Sequence, residues 1–248
     1  MSKTGTIGSD AQRHYAERQY ARTKRVVDVV VAAALALITL PLQLVLLLAS
    51  AISFRANPIF EQDRLGVGAQ PFAFRKIRSL PATAPTEADK YELKKVKNSR
   101  VGQFLRISHL DELLQFWSVL GGSMSIVGPR PEMLGLSDSY PEEFVRARTS
   151  VRPGITGLWQ VSHGSKGLIG ETPEYDLAYL DLMSLKLDTW IAYQTVRKIL
   201  TRKTVGLDET PGFDVLPELQ DHTLEPVVDL TPRTPQVSVG DYPVKVSA

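Results

Sequence analysis

The chain contains no cysteine, which removes disulfides, thiolate metal sites and a cysteine nucleophile together. Its histidines, His14, His109, His163 and His222, never approach the spacing of two imidazole ligands on one helix, so no histidine metal site is expected. Excess charge of either sign is also missing. Lys and Arg number 29 against 27 Asp and Glu, a formal net charge of +2 over 248 residues. A broad electrostatic footprint for nucleic acid is therefore excluded, and any anion site must be local. The length supports one domain with appendages rather than two independent domains, and no internal repeat is visible.

The most informative absence is local. From Val29 to Phe54 there is no charged side chain, whereas Arg13, Arg18, Arg22, Lys24 and Arg25 precede the run. A helix of that length would reach roughly 39 Å, beyond the ~30 Å of a hydrocarbon core. A cleaved signal peptide fits poorly, because the run starts late and ends at Phe54-Arg55 rather than at small residues. Two features argue against a simple span. Pro41 near the middle removes a helix hydrogen bond and crowds the preceding turn, so a kink or break is expected there. Basic residues flank both ends, with Arg55, Arg64, Arg75, Lys76 and Arg78 on the far side, and a spanning helix would put one set on the wrong side. The expectation is a re-entrant, proline-kinked membrane helix over residues 25–55, with an ordinary kinked transmembrane helix as the alternative.

Residues 1–24 form a polar, basic lead-in, and residues 56–203 read as a catalytic domain of mixed, mostly helical α/β class. Ile59-Phe60 and Phe72 to Ile77 read as strands around a Gly66/Gly68 turn, and Pro81 to Lys97 as a polar loop. Ser108 is expected to cap a helix with Asp111 at its third position, Leu110, Leu113, Leu114, Trp117 and Leu120 on one face, and Gly121-Gly122 as its stop. A later amphipathic helix carries Trp190, Ile191, Tyr193, Val196, Ile199 and Leu200, with Arg197, Lys198, Arg202 and Lys203 at its end. It suits a membrane interface or a soluble core equally. Residues 204–248, with many prolines and acids and few aromatics, read as a disordered tail.

The chemically dense stretch is Arg100 to Pro131. Asp111 and Glu112 are adjacent carboxylates near a helix start, where a negative charge is favoured. Such a carboxylate can serve as nucleophile or magnesium ligand, although an acidic pair in a first helical turn is, taken alone, usually just capping and solvated charge. Arg106 lies five residues upstream. Gly128-Pro129-Arg130-Pro131 presents Arg130 on a stiff loop suited to phosphate oxygens, and Arg152-Pro153-Gly154-Ile155-Thr156-Gly157 repeats the theme. Taken singly, each is also a plain turn.

Their order is what carries a resemblance. Lys24-Arg25-Val26-Val27-Asp28, the proline of the apolar run, Gln62-Asp63-Arg64-Leu65-Gly66, Phe74-Arg75-Lys76-Ile77-Arg78-Ser79, Arg106, Asp111-Glu112-Leu113, Met124-Ser125 and both proline-glycine motifs follow in sequence. Asp176, Tyr179, Ser184 and Asp188 stand before the last helix. From about Lys24 to Lys203 the chain resembles the bacterial sugar transferase family, the monotopic phosphoglycosyl transferases. The resemblance implies a catalytic dyad of Asp111 and Glu112, with Mg2+ held by the same pair. It also implies phosphate or substrate contacts from Arg64, Lys76, Arg78, Arg106, Arg130 and Arg152, and a re-entrant helix kinked at Pro41. Asp111 would attack the phosphate next to the sugar of a UDP-sugar, and undecaprenyl phosphate would take the phosphosugar. The implied setting is the bacterial inner membrane with the site facing the cytoplasm, at the first membrane step of exopolysaccharide, capsule or glycan synthesis, with a homodimer left open. Larger relatives carry a bundle of membrane helices before this unit, which the chain is expected to lack. Leu114, Ser118 and Ser123 depart from the family's usual proline, asparagine and acid. The competing reading is a non-catalytic membrane-associated partner in polysaccharide export, against which the intact Asp111, Glu112, Arg106 and Arg130 argue.

Overall fold

The charge-free run lies within one long helix, α1 (Thr6–Phe54), in a computed structural model that describes residues 6–86 and 96–215. The architecture is mixed α/β and mostly helical. Pro41 does not break α1, which continues through it. Nearby side chains satisfy one another: Gln43 Nε2 donates to Thr39 Oγ1 at 2.8 Å and Thr39 Oγ1 to the Leu35 carbonyl at 2.6 Å. The helix is long and apolar enough to cross a membrane. Yet it touches one and the same domain from Tyr20 to Ser53. Arg25 donates to the Val119 carbonyl, Asp28 accepts from Ser125 Oγ, and Trp117 Nε1 donates to Gln43 Oε1 at 2.9 Å. Further along, Ser50 Oγ donates to the Arg78 carbonyl and Ser53 Oγ to Ser99 Oγ. Its opposite face, including Val30, Leu37, Leu44, Leu48 and Ile52, is exposed.

After α1 the chain forms an antiparallel hairpin of β1 (Ile59–Leu65) and β2 (Pro71–Ile77), in register from Ile59 opposite Ile77 to Leu65 opposite Pro71. Gly68, with φ of +64°, turns it, as the Gly66/Gly68 pattern predicts. Of the expected loop from Pro81 to Lys97, residues 87–95 lie outside the described residues. Next come α2 (Arg100–Ile107), capped by Ser99 whose hydroxyl accepts from the Gly102 amide at 3.0 Å, and α3 (Gln115–Leu120). The continuous helix expected from a Ser108 cap is absent. Ser108 ends α2 instead, its hydroxyl turned back to the Phe104 carbonyl.

The two proline-glycine motifs, which read as separate turns, are one unit. β3 (Ser125–Val127) and β4 (Gly154–Thr156) pair in parallel, and Gly128 N donates to the Thr156 carbonyl and Gly154 N to the Pro129 carbonyl, both at 2.9 Å. Between them run two short helices, α4 (Leu134–Ser137) and α5 (Glu142–Arg148). α6 (Leu158–Val161), α7 (Glu174–Leu182) and α8 (Leu185–Thr201) follow. α8 buries Leu187 and Ile191 and leaves Tyr193, Val196, Ile199 and Leu200 exposed, the two-faced pattern read from its sequence.

The largest apolar cluster joins α6, α7 and α8 through Leu158, Trp159, Ala178, Tyr179, Leu187 and Ile191. It also takes in Val205, Leu207 and Phe213, so the folded part extends past 203 and the first residues of the expected disordered tail are core. The rest of that tail, 216–248, lies outside the described residues. Two smaller clusters are built on α1: Ala32 packs with Phe74, Val119 and Met124, and Leu46 with Ile77 and Leu105. A polar knot ties the start of α1 to α7 and α8. Lys24 Nζ and the Tyr20 hydroxyl both reach Asp188 Oδ2 at 3.0 Å, and the Tyr179 hydroxyl donates to Asp188 Oδ1.

The β3/β4 contact leaves no room for a side chain. A Cβ on Gly154 would lie 2.2 Å from Gly128 N and 2.3 Å from the Thr156 carbonyl oxygen. Gly154→Ala should therefore lower the unfolding free energy by about 1–3 kcal/mol, the usual cost of overpacking, in denaturant titrations of the detergent-solubilised protein. Unchanged stability would mean that the strands are not in this close register.

Candidate active site

The dyad sits where α2 hands over to α3. α2 ends at Ile107, His109 adopts the left-handed conformation at φ +57°, and the chain then makes a 3-10 turn over Leu110–Glu112. Asp111 and Glu112 are the last two residues of that turn, pointed at the end of β2. Asp111 is 5% exposed, and Ser79 Oγ donates to its Oδ2 at 3.0 Å. Glu112, with its side chain 20% exposed, accepts from Lys76 Nζ at 2.6 Å. Lys76 also lies over the Phe74 ring, 5.2 Å from its centroid, which fixes a flexible side chain beside an apolar wall.

The neighbours make the two carboxyls unequal. Burial pushes the Asp111 carboxyl up and the charge of Glu112 adds to that, against the lowering pull of Lys76, the Ser79 hydrogen bond and Arg106. For Glu112 burial also acts upward, but Lys76, Arg130 and His109 overcome it and hold the carboxyl at about 2. Glu112 is thus a fixed anion, while Asp111 is a desolvated carboxyl in a positive surround, a setting that raises the basicity of its anion.

Of the sequence-predicted phosphate residues, the structure brings Lys76, Arg106 and Arg130 to the dyad, Arg106 from the last turn of α2 and Arg130 from the loop after β3. The other three have different partners. Arg64 bonds Gln62 Oε1 and the Pro131 carbonyl and lies over Phe74. Arg78 Nε donates to the Asn57 carbonyl at 2.6 Å, and Arg152 Nε to the Gly122 carbonyl at 2.9 Å. Each of these guanidiniums binds a backbone carbonyl, and Arg64 the Gln62 side chain as well.

Several supporting residues escaped the sequence reading. Arg148, buried at the end of α5, pairs with Asp176 at 2.9 Å and faces Glu132 at 3.9 Å, while its Nη2 donates to the Arg130 carbonyl at 2.8 Å. The Tyr140 hydroxyl donates to Glu132. This network fixes the backbone of Arg130 from behind. Lys198, near the end of α8, turns inward to Ser165 Oγ and the Gln160 carbonyl; burial, and next the charge of Arg130, lower its pKa. Neither Arg148 nor Ser79 carried a spacing signal of its own.

No group of three or more His, Asp or Glu suited to a metal occurs among the described residues. The donors available at the dyad are hard carboxylate oxygens. Asp111 Oδ1 and Glu112 Oε2 carry no hydrogen bond among the described residues, since Ser79 and Lys76 engage the other oxygen of each. That set fits magnesium, which binds through one or two carboxylates together with substrate phosphates.

The chain is 36% identical over 192 residues to an Aeromonas hydrophila UDP-N-acetylgalactosamine-undecaprenyl-phosphate N-acetylgalactosaminephosphotransferase, covering 73% of this chain and 44% of that protein. It is 35% identical over 196 residues to a Klebsiella pneumoniae UDP-glucose:undecaprenyl-phosphate glucose-1-phosphate transferase, covering 73% and 41%. A Caulobacter vibrioides protein of the same description is 37% identical over 195 residues, covering 72% of this chain and 70% of the relative. The chain thus spans less than half the length of the first two. Residues 19–202 match the family described as bacterial sugar transferase, a stretch that holds α1 from Gln19 onward, the dyad turn, both proline-glycine strands and α8, and on that match the chain belongs to the bacterial sugar transferase family.

Proposed function

We propose that the chain transfers a sugar-1-phosphate from a UDP-sugar to undecaprenyl phosphate, with Asp111 as the nucleophile that carries the phosphosugar between donor and acceptor. The observation that carries this reading is the desolvated Asp111 carboxyl beside an ionised Glu112, with Lys76, Arg106 and Arg130 around them. The activities named for the relatives support the substrate pair.

In the first displacement an Asp111 carboxylate oxygen attacks the phosphorus that bears the sugar. The bond to the bridging oxygen breaks, and UMP leaves with the electron pair. In the second, an oxygen of undecaprenyl phosphate attacks the same phosphorus, releases the Asp111 carboxylate and yields the diphosphate-linked sugar. Phosphoryl transfer needs alignment and charge neutralisation above all. Arg106 and Arg130 are placed to offset the donor's charge, and Lys76 holds Glu112 ionised and oriented. Magnesium, held by Asp111 and Glu112 when bound, would neutralise the diphosphate. Two displacements let the soluble donor and the lipid acceptor use the site in turn.

The same reading assigns α1 a re-entrant course, both ends on the cytoplasmic face of the inner membrane. Its support is the series of contacts from Arg25 to Ser53 with a single charged domain, which a helix crossing ~30 Å of hydrocarbon could not keep. The exposed apolar faces of α1 and α8 would then meet lipid, setting the dyad at headgroup level where a lipid phosphate lies. The step so catalysed would be the first membrane step of exopolysaccharide, capsule or glycan synthesis.

Asp111→Asn should reduce transfer by more than about 10³-fold while the protein stays folded and membrane-bound, because the amide is isosteric but a poor nucleophile. Turnover near wild type would remove Asp111 from that role. With donor, magnesium and no lipid, the wild-type enzyme should release UMP up to about one equivalent per active site and then stop. Initial rates should give parallel lines, and intersecting lines without a burst would require both substrates to bind together. Chelating divalent metal should abolish UMP release and added magnesium restore it; activity persisting in chelator would contradict the assignment. Because the chain has no cysteine of its own, single cysteines at Gln19 and Gln70 report topology cleanly. Both should react only from the cytoplasmic side, and labelling from opposite sides would establish a span.

A further inference from the structure

The support of the catalytic carboxyl itself carries an inference that rests on Asp111 as nucleophile. A carboxylate turns easily about its last torsion, so the hydrogen bond it accepts decides which oxygen faces outward. Ser79 supplies that bond to Oδ2 at 3.0 Å from a buried position two residues beyond β2, while Oδ1 is left without one among the described residues.

Ser79 is held in turn. The backbone of Arg78 and Ser79 is tied at three points: Arg78 N donates to the Pro58 carbonyl at 2.7 Å, Ser50 Oγ of α1 donates to the Arg78 carbonyl at 2.7 Å, and Asn98 Nδ2 donates to the Ser79 carbonyl at 2.8 Å. Ser50 is fully buried. Asn98 is fixed from its other side, because its Oδ1 accepts from Ser99 N at 2.8 Å. The contact is close enough to need glycine at 102, where a Cβ would lie 2.3 Å from Asn98 Oδ1 and 2.5 Å from the Ser79 carbonyl oxygen. Ser53 Oγ reaches Ser99, the cap of α2, at 3.0 Å, so α1 touches both arms of this support.

We propose that Ser79 is a positioning residue for Asp111, and that Ser50 from the membrane helix and Asn98 from the start of α2 hold it in place. Ser79 turns Oδ2 inward and leaves Oδ1 as the attacking oxygen. Docking of α1 on the domain is thereby transmitted to the nucleophile through Ser50, the Arg78–Ser79 peptide and the Ser79 hydroxyl.

The test uses the full chain in detergent micelles with magnesium and no lipid. The donor is whichever of UDP-glucose, UDP-galactose or UDP-N-acetylgalactosamine supports transfer, and the rate constant of the UMP burst is read by rapid quench. Ser79→Ala should slow the burst by about 10- to 100-fold, the scale of a misplaced reacting group. The half-saturating donor concentration and the thermal midpoint should stay the same. Ser79→Thr, which keeps the hydroxyl, should recover most of the rate. Ser50→Ala and Asn98→Ala should each slow the burst in the same way but by less, again without changing donor saturation. An unchanged burst in Ser79→Ala overturns the proposal, as does a loss that threonine does not restore or one that appears only as weaker donor binding. A wild-type protein that shows no burst instead removes the covalent reading on which the proposal rests, which separates the two failures.

Discussion

The packing of α1 against the back of the dyad is the contact on which the rest of the structure depends. Two of the three apolar clusters include α1, Ala32 beside Phe74 and Val119, and Leu46 beside Ile77 and Leu105. Phe74 and Ile77 belong to β2, Leu105 to α2 and Val119 to α3, so the three elements that surround Asp111 and Glu112 are all seated on the membrane helix. Small residues make the seat close: Ala32, Ala36 and Ser50 are completely buried along α1. Helix and site are thereby held as one body.

Polar contacts along the same helix do a different job. Buried polar groups are stabilising only when paired, and Asp28, Gln43 and Ser50 each find partners on the domain rather than along the helix alone. These pairings specify one orientation of α1 about its own axis, since a rotation would bury them unpaired. On the far side of the site the Arg148, Asp176 and Glu132 cluster holds Arg130 from behind. The dyad is therefore gripped between a membrane-side and a core-side polar network. Neither would be replaceable by apolar packing without losing the placement of a charged side chain.

How much of this was legible follows from the kind of signal each feature leaves. Twenty-six residues without charge and a Gly66/Gly68 turn between alternating strands are strong local patterns; the hairpin formed where they indicated, and α1 covers the charge-free run but already begins at Thr6, inside the basic lead-in. Ser108 followed by Asp111 three residues later looks like a helix start, yet His109 in the left-handed region makes Ser108 an ending and puts the dyad in a 3-10 turn. That outcome depends on β2 and α1 packing around the turn, which no local pattern records. Arg64, Arg78 and Arg152 stand in motifs whose resemblance implies phosphate contact, but a guanidinium suits a carbonyl as well as a phosphate, and each of the three bonds a backbone carbonyl. Ser79 and Asn98 lie nineteen residues apart and meet through a side-chain-to-backbone bond, invisible to periodicity. Val205, Leu207 and Phe213 are too sparse among polar residues to announce a core contribution.

The central claim, a phosphosugar carried on Asp111 at a site seated on the membrane helix, is tested most directly by mass spectrometry of the acid-quenched protein after brief incubation with UDP-sugar and magnesium in the absence of lipid. The account predicts that the peptide containing Asp111 gains the mass of one sugar phosphate, and that undecaprenyl phosphate added before the quench removes it while forming the lipid-linked sugar. Transfer to lipid at full rate, with the added mass on a different residue or with both substrates required before any UMP is released, would contradict it.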